Sequence, residues 1–524
     1  MMREIFSERQ MMCQIRGNTH LVIYGAGMVG ELTVSRLVSL GFGEKIMGFA
    51  VSNRQKNPRM GNALCGLPVY DIHELVMHKK DAVVIVATLP NLHEEIGKVL
   101  LELRFENIVF VTQKLYQVFT KNHIADYKMQ HSLKFAENAK YRILFMASDN
   151  NNISGAFRCM VELCDMLQKS KVAVAVVLPH YGAGAQLLSQ RNIPYTYVLS
   201  QDWGYETAKE RNLLEKMKFM AGMLRNQSAK KELRSIIENY SVDLIHCNTT
   251  YTYIGALAAR DCGIPIVWHL REHMEDQGFR IFSPRWGWRL IRQSDHVITV
   301  SEYIRSLMPL KGKEDVSVVY DTVEMEGQTY IKRDILQHKI VRMIIVGVII
   351  RHKRQKELID ACVILKQKGF LDFHLTMAGR GTEKYINELK QTVTEYELGE
   401  FISFYGVSDQ VSELYAQSDI AFMCSVAEPY GRVTVEAQMS GCLVIGSDSG
   451  ATPELIREGE TGYLYEAGNP EALADKIIEA VRFPQISRRI ARAGQEYAHK
   501  TYTKERNVRE IMDIYENVLE RRVR

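Results

Sequence analysis

Short runs of β-branched and other apolar residues alternate with segments of helical period along nearly the whole chain, separated by glycine-bearing or polar turns. That alternation predicts an α/β protein built on parallel sheets, because parallel neighbours need a crossover and the crossover is usually a helix. The first block runs from "HLVIYGAG" to "NIVFVT". It predicts strands over 21–24, 45–51, 82–87 and 107–111 and helices over 28–40 and 92–104, giving a small Rossmann-like unit across 1–112. The pattern then lapses into mixed polar and aromatic sequence, read as a linker over 113–141 with partial helical character. A second block opens at "YRILFMAS", with strands expected over 172–178, 195–199, 244–247, 266–269, 297–300 and 316–320. A third opens at "VRMIIVGVII" and continues through 373–378, 402–405, 420–424 and 443–446. The expected divisions are 142–330, 331–510 and a closing helix over 511–524 that crosses back to the second block.

Composition narrows the partners more than the fold. A chain of 524 residues exceeds one core, and roughly 100–200 residues per domain agrees with three blocks. A formal net charge of +4 is too small to point to nucleic acid. Nine cysteines are scattered with no CxxC pair, which suits buried thiols in a reducing cytoplasm better than disulfides or zinc. The first residues show no apolar stretch followed by a small-residue cleavage site, so no secretory leader is expected. The longest apolar run, 343–350, is far short of the roughly 20 residues of a spanning helix.

The chemistry concentrates in "SDIAFMCSVAEPYGRVTVEAQMSGCLVIGSDSGATPELI". An apolar strand leads into a loop, then into a helix expected to begin near Pro429 or Gly431. Proline suits a first helical turn, and glycine lets a ligand approach the backbone. Free N–H groups and the helix dipole at such a start attract phosphate. Glu428 falls in the loop and Glu436 in the helix, so a diphosphate lying between them would leave each carboxylate near sugar hydroxyls. Spacing alone leaves an ordinary solvated helix open.

The flanking residues add to that reading. The segment resembles, residue by residue, the donor site of the family-4 retaining glycosyltransferases, and the resemblance extends over roughly 141–510. It implies a GT-B fold, two Rossmann-like domains facing a cleft, here preceded by the extra small domain. It also implies roles: Glu428 contacts the transferred sugar, Glu436 holds the nucleotide ribose, and the backbone around Gly431, Arg432, Val433 and Thr434 meets the diphosphate. "VGVIIRHKRQK" is similar to the family's phosphate loop, with Gly347 at the turn and Lys353 as the cationic ligand. The family often has arginine directly after that glycine, where this chain has Val348, and Arg351 and Arg354 are the candidate substitutes. Val407, just past Gly406, resembles the base-binding turn, and Gly155 lies in the loop that approaches the diphosphate from the opposite domain. In "VWHLRE", His269 matches the family histidine near the transferring sugar, followed by Arg271 and Glu272. His246 ends a neighbouring strand and reads as a core or surface group.

The resemblance implies transfer from a nucleotide sugar, UDP- or GDP-linked, to a surface polysaccharide, another glycan or a lipid-linked acceptor, with retention and without an enzymic nucleophile. No cofactor and no metal are expected, since no DxD-type motif occurs at the site. Residues 209–234 form a basic helical stretch, and 279–292 mix four arginines with Phe279, Phe282, Trp286 and Trp288. Such surfaces suit the anionic inner face of a plasma membrane. A solvated basic helix over buried tryptophans is the alternative reading.

At the amino-terminal end, Gly25, Gly27 and Gly30 form GxGxxG between a strand and a helix, the context of a dinucleotide site. The acidic residue that would hold the adenosine ribose of NAD is missing, since the next strand ends in Ser52-Asn53. The unit resembles small nucleotide-sugar-binding domains fused to bacterial surface-sugar enzymes. Two readings stay open: a nucleotide diphosphate bound at 25–30, or a turn kept for packing. Three rivals remain for the whole chain. They are a non-catalytic GT-B partner protein, a sugar-nucleotide-modifying enzyme run by the first domain, and a GT-B epimerase.

Overall fold

The computed structural model describes residues 2–52, 63–209, 212–323, 333–408 and 410–523. It contains three parallel sheets in succession. The first has the order Met2–Ile5, Asn107–Val111, Ala82–Val86, His20–Tyr24, Ile46–Val51, Leu67–Asp71, and ends in the short antiparallel strand Ala63–Leu64. The second runs Tyr195–Tyr197, Val172–Leu178, Tyr141–Met146, Leu244–Cys247, Ile266–Leu270, His296–Thr299, Val316–Val318. The third runs Ile402–Gly406, Phe373–Ala378, Val341–Val346, Ile420–Met423, Leu443–Ser447, Tyr463–Tyr465. Strands such as "VAVAVVL" are buried along their whole length because helices cover both faces of a parallel sheet.

In each sheet the chain leaves one inner strand toward one side and later returns to build the other side. His20–Tyr24, Tyr141–Met146 and Val341–Val346 hold that position, so the loop after each lies at a topological switch point, where ligands bind in open α/β sheets. The three loops begin near Gly25, Asp149 and Gly347.

Two segments differ from expectation. Residues 113–130, expected as part of a partly helical linker, form one continuous helix, Gln113–Gln130, capped by Thr112 through the Leu115 N–H. Leu115 and Phe119 enter the core of the first sheet, while Ile124 and Tyr127 pack with the second. Nine positions separate Leu115 from Ile124, about two and a half helical turns, so they sit on opposite faces. No single apolar stripe forms, and the helical period is therefore invisible in the sequence. The amino-terminal strand Met2–Ile5 and helix Glu8–Ile15 were also unforeseen, and they complete the first sheet's far edge.

The closing helix begins earlier than expected, at Lys504, and runs to Val523. Its Val508, Ile511, Ile514, Tyr515 and Val518 are buried in the second sheet's core, and the Tyr515 hydroxyl bonds His246 Nδ1 at 2.7 Å. The helix before it, Pro484–Thr501, packs on the third-sheet half, so the chain end ties the two halves together. The expected boundary at 330 lies outside the described residues.

Candidate active site

The loops after the second and third sheets' switch-point strands face each other across a cavity of about 320 Å³. Gly155, Ala156, Cys159, Arg271 and Asp321 line it from one half, and Gly347, Lys353, Glu428 and 431–433 from the other. Lys353 forms an ion pair with the Glu428 carboxylate, so a cation and an anion stand together at one wall. The helix Arg432–Met439 starts at this wall behind Gly431, whose φ is +97°, and no side chain caps it. Its first amides are thus free for an anionic ligand.

Backbone geometry holds Glu428 in place. Ala427 just before it sits at φ +60°, a left-handed conformation that non-glycine residues seldom adopt. A Cβ on Gly450 would come within 2.4 Å of the Glu428 nitrogen, so only glycine allows these two loops to touch. Glu436 lies one helical turn beyond Arg432. Burial pushes its carboxyl up, and the Arg432 guanidinium opposes that shift. Arg432 reaches across the cleft to Glu162 at 3.2 Å.

Glu454 joins the halves at a second point. Its carboxylate accepts the N–H groups of Glu302 and Tyr303 at 2.8 and 2.6 Å and the Tyr320 hydroxyl at 2.9 Å. It thereby caps the helix Glu302–Leu307 of the opposite half. The Ser301 hydroxyl donates to the Pro429 carbonyl at 2.6 Å beside it.

The residues singled out in sequence separate into two groups. Gly155, Gly347, Lys353, Glu428, Gly431, Arg432 and Val433 converge on the cavity. Thr434 is buried just behind, with its hydroxyl unpartnered. Arg351, by contrast, is turned outward: it is mostly exposed, pairs with Glu388 at 2.6 Å and lies over the Tyr385 ring. Arg354 is likewise engaged, with Glu357 at 2.8 Å. Neither lines the cavity, and each is held by a carboxylate outside it. Arg271 and Arg432 are the cations that join Lys353 at the cavity. Val407 is half exposed and does not line it.

His269 is fully buried and also off the cavity wall. Its Nδ1 meets the Arg271 guanidinium at 3.3 Å, and its Nε2 has no partner. Burial, then the charge of Arg271, push its pKa well down, so the ring is neutral. Arg271 is the group that reaches the wall from this strand end. It is held by Asp321, with one contact at 2.6 Å, and by Asn248 Oδ1 at 3.0 Å. Glu272 beside it is pushed up to about 7 by burial, although its carboxylate accepts the Thr250 N–H at 2.8 Å. Asp321, Asn248 and Glu162 were missed in the sequence, since each is brought to the cleft only by the fold.

At the amino-terminal turn the glycines serve different ends. A Cβ on Gly30 would lie 1.9 Å from the Gly25 carbonyl oxygen, and one on Gly25 would strike Thr88, so both permit close helix–strand packing. Gly27 faces open space and begins the helix Met28–Ser39 without a side-chain cap. A possible metal cluster among the described residues, His20, His78 and Asp81, sits at the opposite end of that strand from the turn.

Two switch-point loops facing across a cleft, with an uncapped helix start, a lysine and a glutamate on one wall, are the arrangement the resemblance to GT-B glycosyltransferases implied. Comparison with known proteins bears this out. Residues 153–326 match the family described as Glycosyltransferase Family 4, and 330–497 match Glycosyl transferases group 1. Together these adjacent matches span about two thirds of the chain, which belongs to this glycosyltransferase family. N-acetyl-alpha-D-glucosaminyl L-malate synthase of Bacillus anthracis is 28% identical over 44% of this chain and 61% of its own length. The putative glycosyltransferase EpsD of Bacillus subtilis is 26% identical over 55% of this chain and 80% of its own. Among solved structures, Anabaena HepE in complex with UDP and glucose is 22% identical, covers 72% of this chain and all of its own, with a TM-score of 0.58. That last likeness shows the fold. Neither family match includes residues before 153.

Proposed function

We infer that the protein transfers a sugar from a nucleotide sugar to a glycan acceptor, with the donor diphosphate held in the cleft between the second and third sheets. The observation that carries this reading is the convergence of Lys353, Glu428 and the uncapped start of the helix Arg432–Met439 on one cavity. A leaving diphosphate gains charge as the glycosidic bond breaks. Lys353 and the amides at the helix start are fixed charges and dipoles placed to meet it. Glu428 lies within reach of the sugar hydroxyls, and Glu436 one turn further on suits the ribose. The acceptor hydroxyl then attacks the face from which the diphosphate departs, and its proton passes to a diphosphate oxygen. Retention follows from that same-face course, and no step calls for a metal. A UDP-sugar is the first donor to try, because the similarly folded HepE was solved with UDP.

The test is consumption of a panel of UDP- and GDP-sugars by the purified chain, with the anomeric configuration of the product read by NMR. One donor should be consumed with retention, and Glu428→Ala should abolish that consumption. Turnover that survives Glu428→Ala would remove the cleft from the account.

The acceptor side suits a membrane-borne glycan. Leu213, Leu214, Met217, Met220 and Leu224 are each more than half exposed, at helical spacing along the helix Leu213–Tyr240, with Lys216 and Lys218 between them. Trp286 lies near this helix, beside a cavity shared with Met220 and Leu224. Such a stripe buries apolar side chains at an interface while lysines face anionic headgroups. No described helix is long and apolar enough to cross a membrane. The chain should sediment with vesicles containing phosphatidylglycerol but not with pure phosphatidylcholine, and Met217→Asp with Leu224→Asp should free it. Equal sedimentation of that double variant would contradict the contact.

A further inference from the structure

A cavity of about 990 Å³ lies between the amino-terminal unit and the second sheet. One wall is a face of the helix Gln113–Gln130, carrying Gln113, Tyr116, Gln117, Thr120 and Lys121. The spacing is that of a single helical face, opposite the Leu115 and Phe119 face that enters the first core. The other walls come from the loops after Tyr141–Met146 and Val172–Leu178 and from the helix Leu213–Tyr240. Rigid contacts hold the two bodies around this space. His123 meets the Tyr181 ring edge-on at 4.9 Å, Tyr127 stacks on Tyr195 at 5.0 Å, and Lys128 pairs with Glu232 at 2.5 Å.

The lining has a definite chemistry. Six of its side chains are amides, and none is a carboxylate, in a protein with 62 acidic residues. The exposed amides of Gln113 and Gln117 offer a donor and an acceptor on one planar group, matching vicinal hydroxyls, while Asn226 is bonded to Gln201 and Tyr253, and Tyr116 and Tyr181 supply rings for the apolar face of a sugar. Lys121 and Arg225 add positive charge with no acid among the lining residues to oppose it. Asn150 is 2% exposed and gives its Nδ2 to the His180 carbonyl at 2.9 Å, which ties the two loops of this wall together.

Position connects this cavity to the cleft. Asn150 and Asn151, on the switch-point loop, line the large cavity, and Gly155 and Ala156, the first residues of the helix Gly155–Lys169 that follows it, line the donor cleft. A chain of sugars lying in the first can therefore present its end to the second across a few residues of backbone.

We propose that this interdomain cavity is a subsite for the non-reacting residues of a glycan acceptor, neutral or anionic, built jointly by the amino-terminal unit and the glycosyltransferase half. The inference rests on the transferase reading, in that the acceptor's end must reach the donor cleft. It gives the amino-terminal unit a task other than nucleotide binding: it supplies one wall of an acceptor site.

The test uses the full chain on an array of defined oligosaccharides that includes maltohexaose, a hyaluronan hexasaccharide and a heparin hexasaccharide. Gln117→Trp fills the cavity from an exposed helical position, and Lys121→Glu reverses its charge. Glu428→Gln leaves this cavity alone. The expected result is retention of at least one oligosaccharide, weakened tenfold or more by Gln117→Trp and unchanged by Glu428→Gln. For an anionic ligand, Lys121→Glu should weaken it tenfold as well. Circular dichroism and melting temperature of each variant check that the fold is kept. Retention of no array member, or retention indifferent to Gln117→Trp, would overturn the proposal. UDP and GDP binding, followed in parallel, separates the two readings. Loss of nucleotide binding with oligosaccharide binding kept defeats the transferase account, and the reverse defeats this one.

Discussion

Two loops occupy the same place in their sheets and do different things. The loop after Val341–Val346 and the loop after His20–Tyr24 both lie at a switch point, both open with glycine, and both lead to a helix. The first is joined by Lys353, Glu428 and a facing domain that closes the other side of a cavity. The second is drawn inward by packing, since a Cβ on Gly30 would meet the Gly25 carbonyl, and Met28 at its helix start lines the interdomain cavity and not the donor cleft. Topology marks where a ligand can sit; the side chains brought from elsewhere decide whether one does.

The largest break between the two loops should appear in turnover. Lys353→Ala removes the fixed cation from the leaving group and should lower transfer by about two to three orders of magnitude. Gly27→Asp places a charge at the other loop where a Cβ meets nothing within 4 Å, and should leave transfer within about twofold. Steady-state kinetics on both variants would show it, and the reverse ranking would move the donor site to the amino-terminal unit.

The cleft also carries a pH signature through Glu272. Its folded pKa, pushed up to about 7, exceeds the ordinary carboxyl value, so the folded state holds the proton more tightly than the unfolded state. The contribution of Glu272 to stability is therefore greatest below about pH 4, declines as pH rises between about 4 and 7, and levels off above, a loss on the order of 3 kcal/mol. Glu272→Gln should flatten that decline in melting temperatures taken from pH 4.5 to 8. An unchanged slope would place the titration elsewhere.

Equivalent glycines then sharpen the comparison. Gly30→Ala forces a Cβ against backbone and should cost about 1–3 kcal/mol in a denaturant melt. Gly155→Ala meets nothing within 4 Å, so stability should hold while the added methyl at the cavity weakens nucleotide binding. The smallest effect is expected from Val348→Arg. Val348 is half exposed at the cavity, and a new cation there should tighten nucleoside diphosphate binding about two- to fivefold.

Much of this was legible in the chain because it is local. The strands at 82–86, 172–178 and 420–423 announce themselves by unbroken apolar runs, and the helix start near Gly431 by its proline and glycine. The helix Gln113–Gln130 was not legible, since its two halves bury opposite faces in two different cores. Arg351 was misplaced for a related reason. Sequence puts four basic residues in one short loop, but only the turned backbone decides that Lys353 points in and Arg351 out. His269 shows the same limit, because a match to a motif does not reveal that Arg271 stands between the ring and the cavity side of that strand end.

The central claim is that the cleft between the second and third sheets holds the nucleotide and the amino-terminal turn does not. Calorimetric titration of UDP and of GDP into the full chain, Lys353→Ala and Gly27→Asp tests it most directly. The account predicts one nucleotide bound at a single site, lost in Lys353→Ala and unchanged in Gly27→Asp. Binding that survives Lys353→Ala and disappears in Gly27→Asp would contradict it.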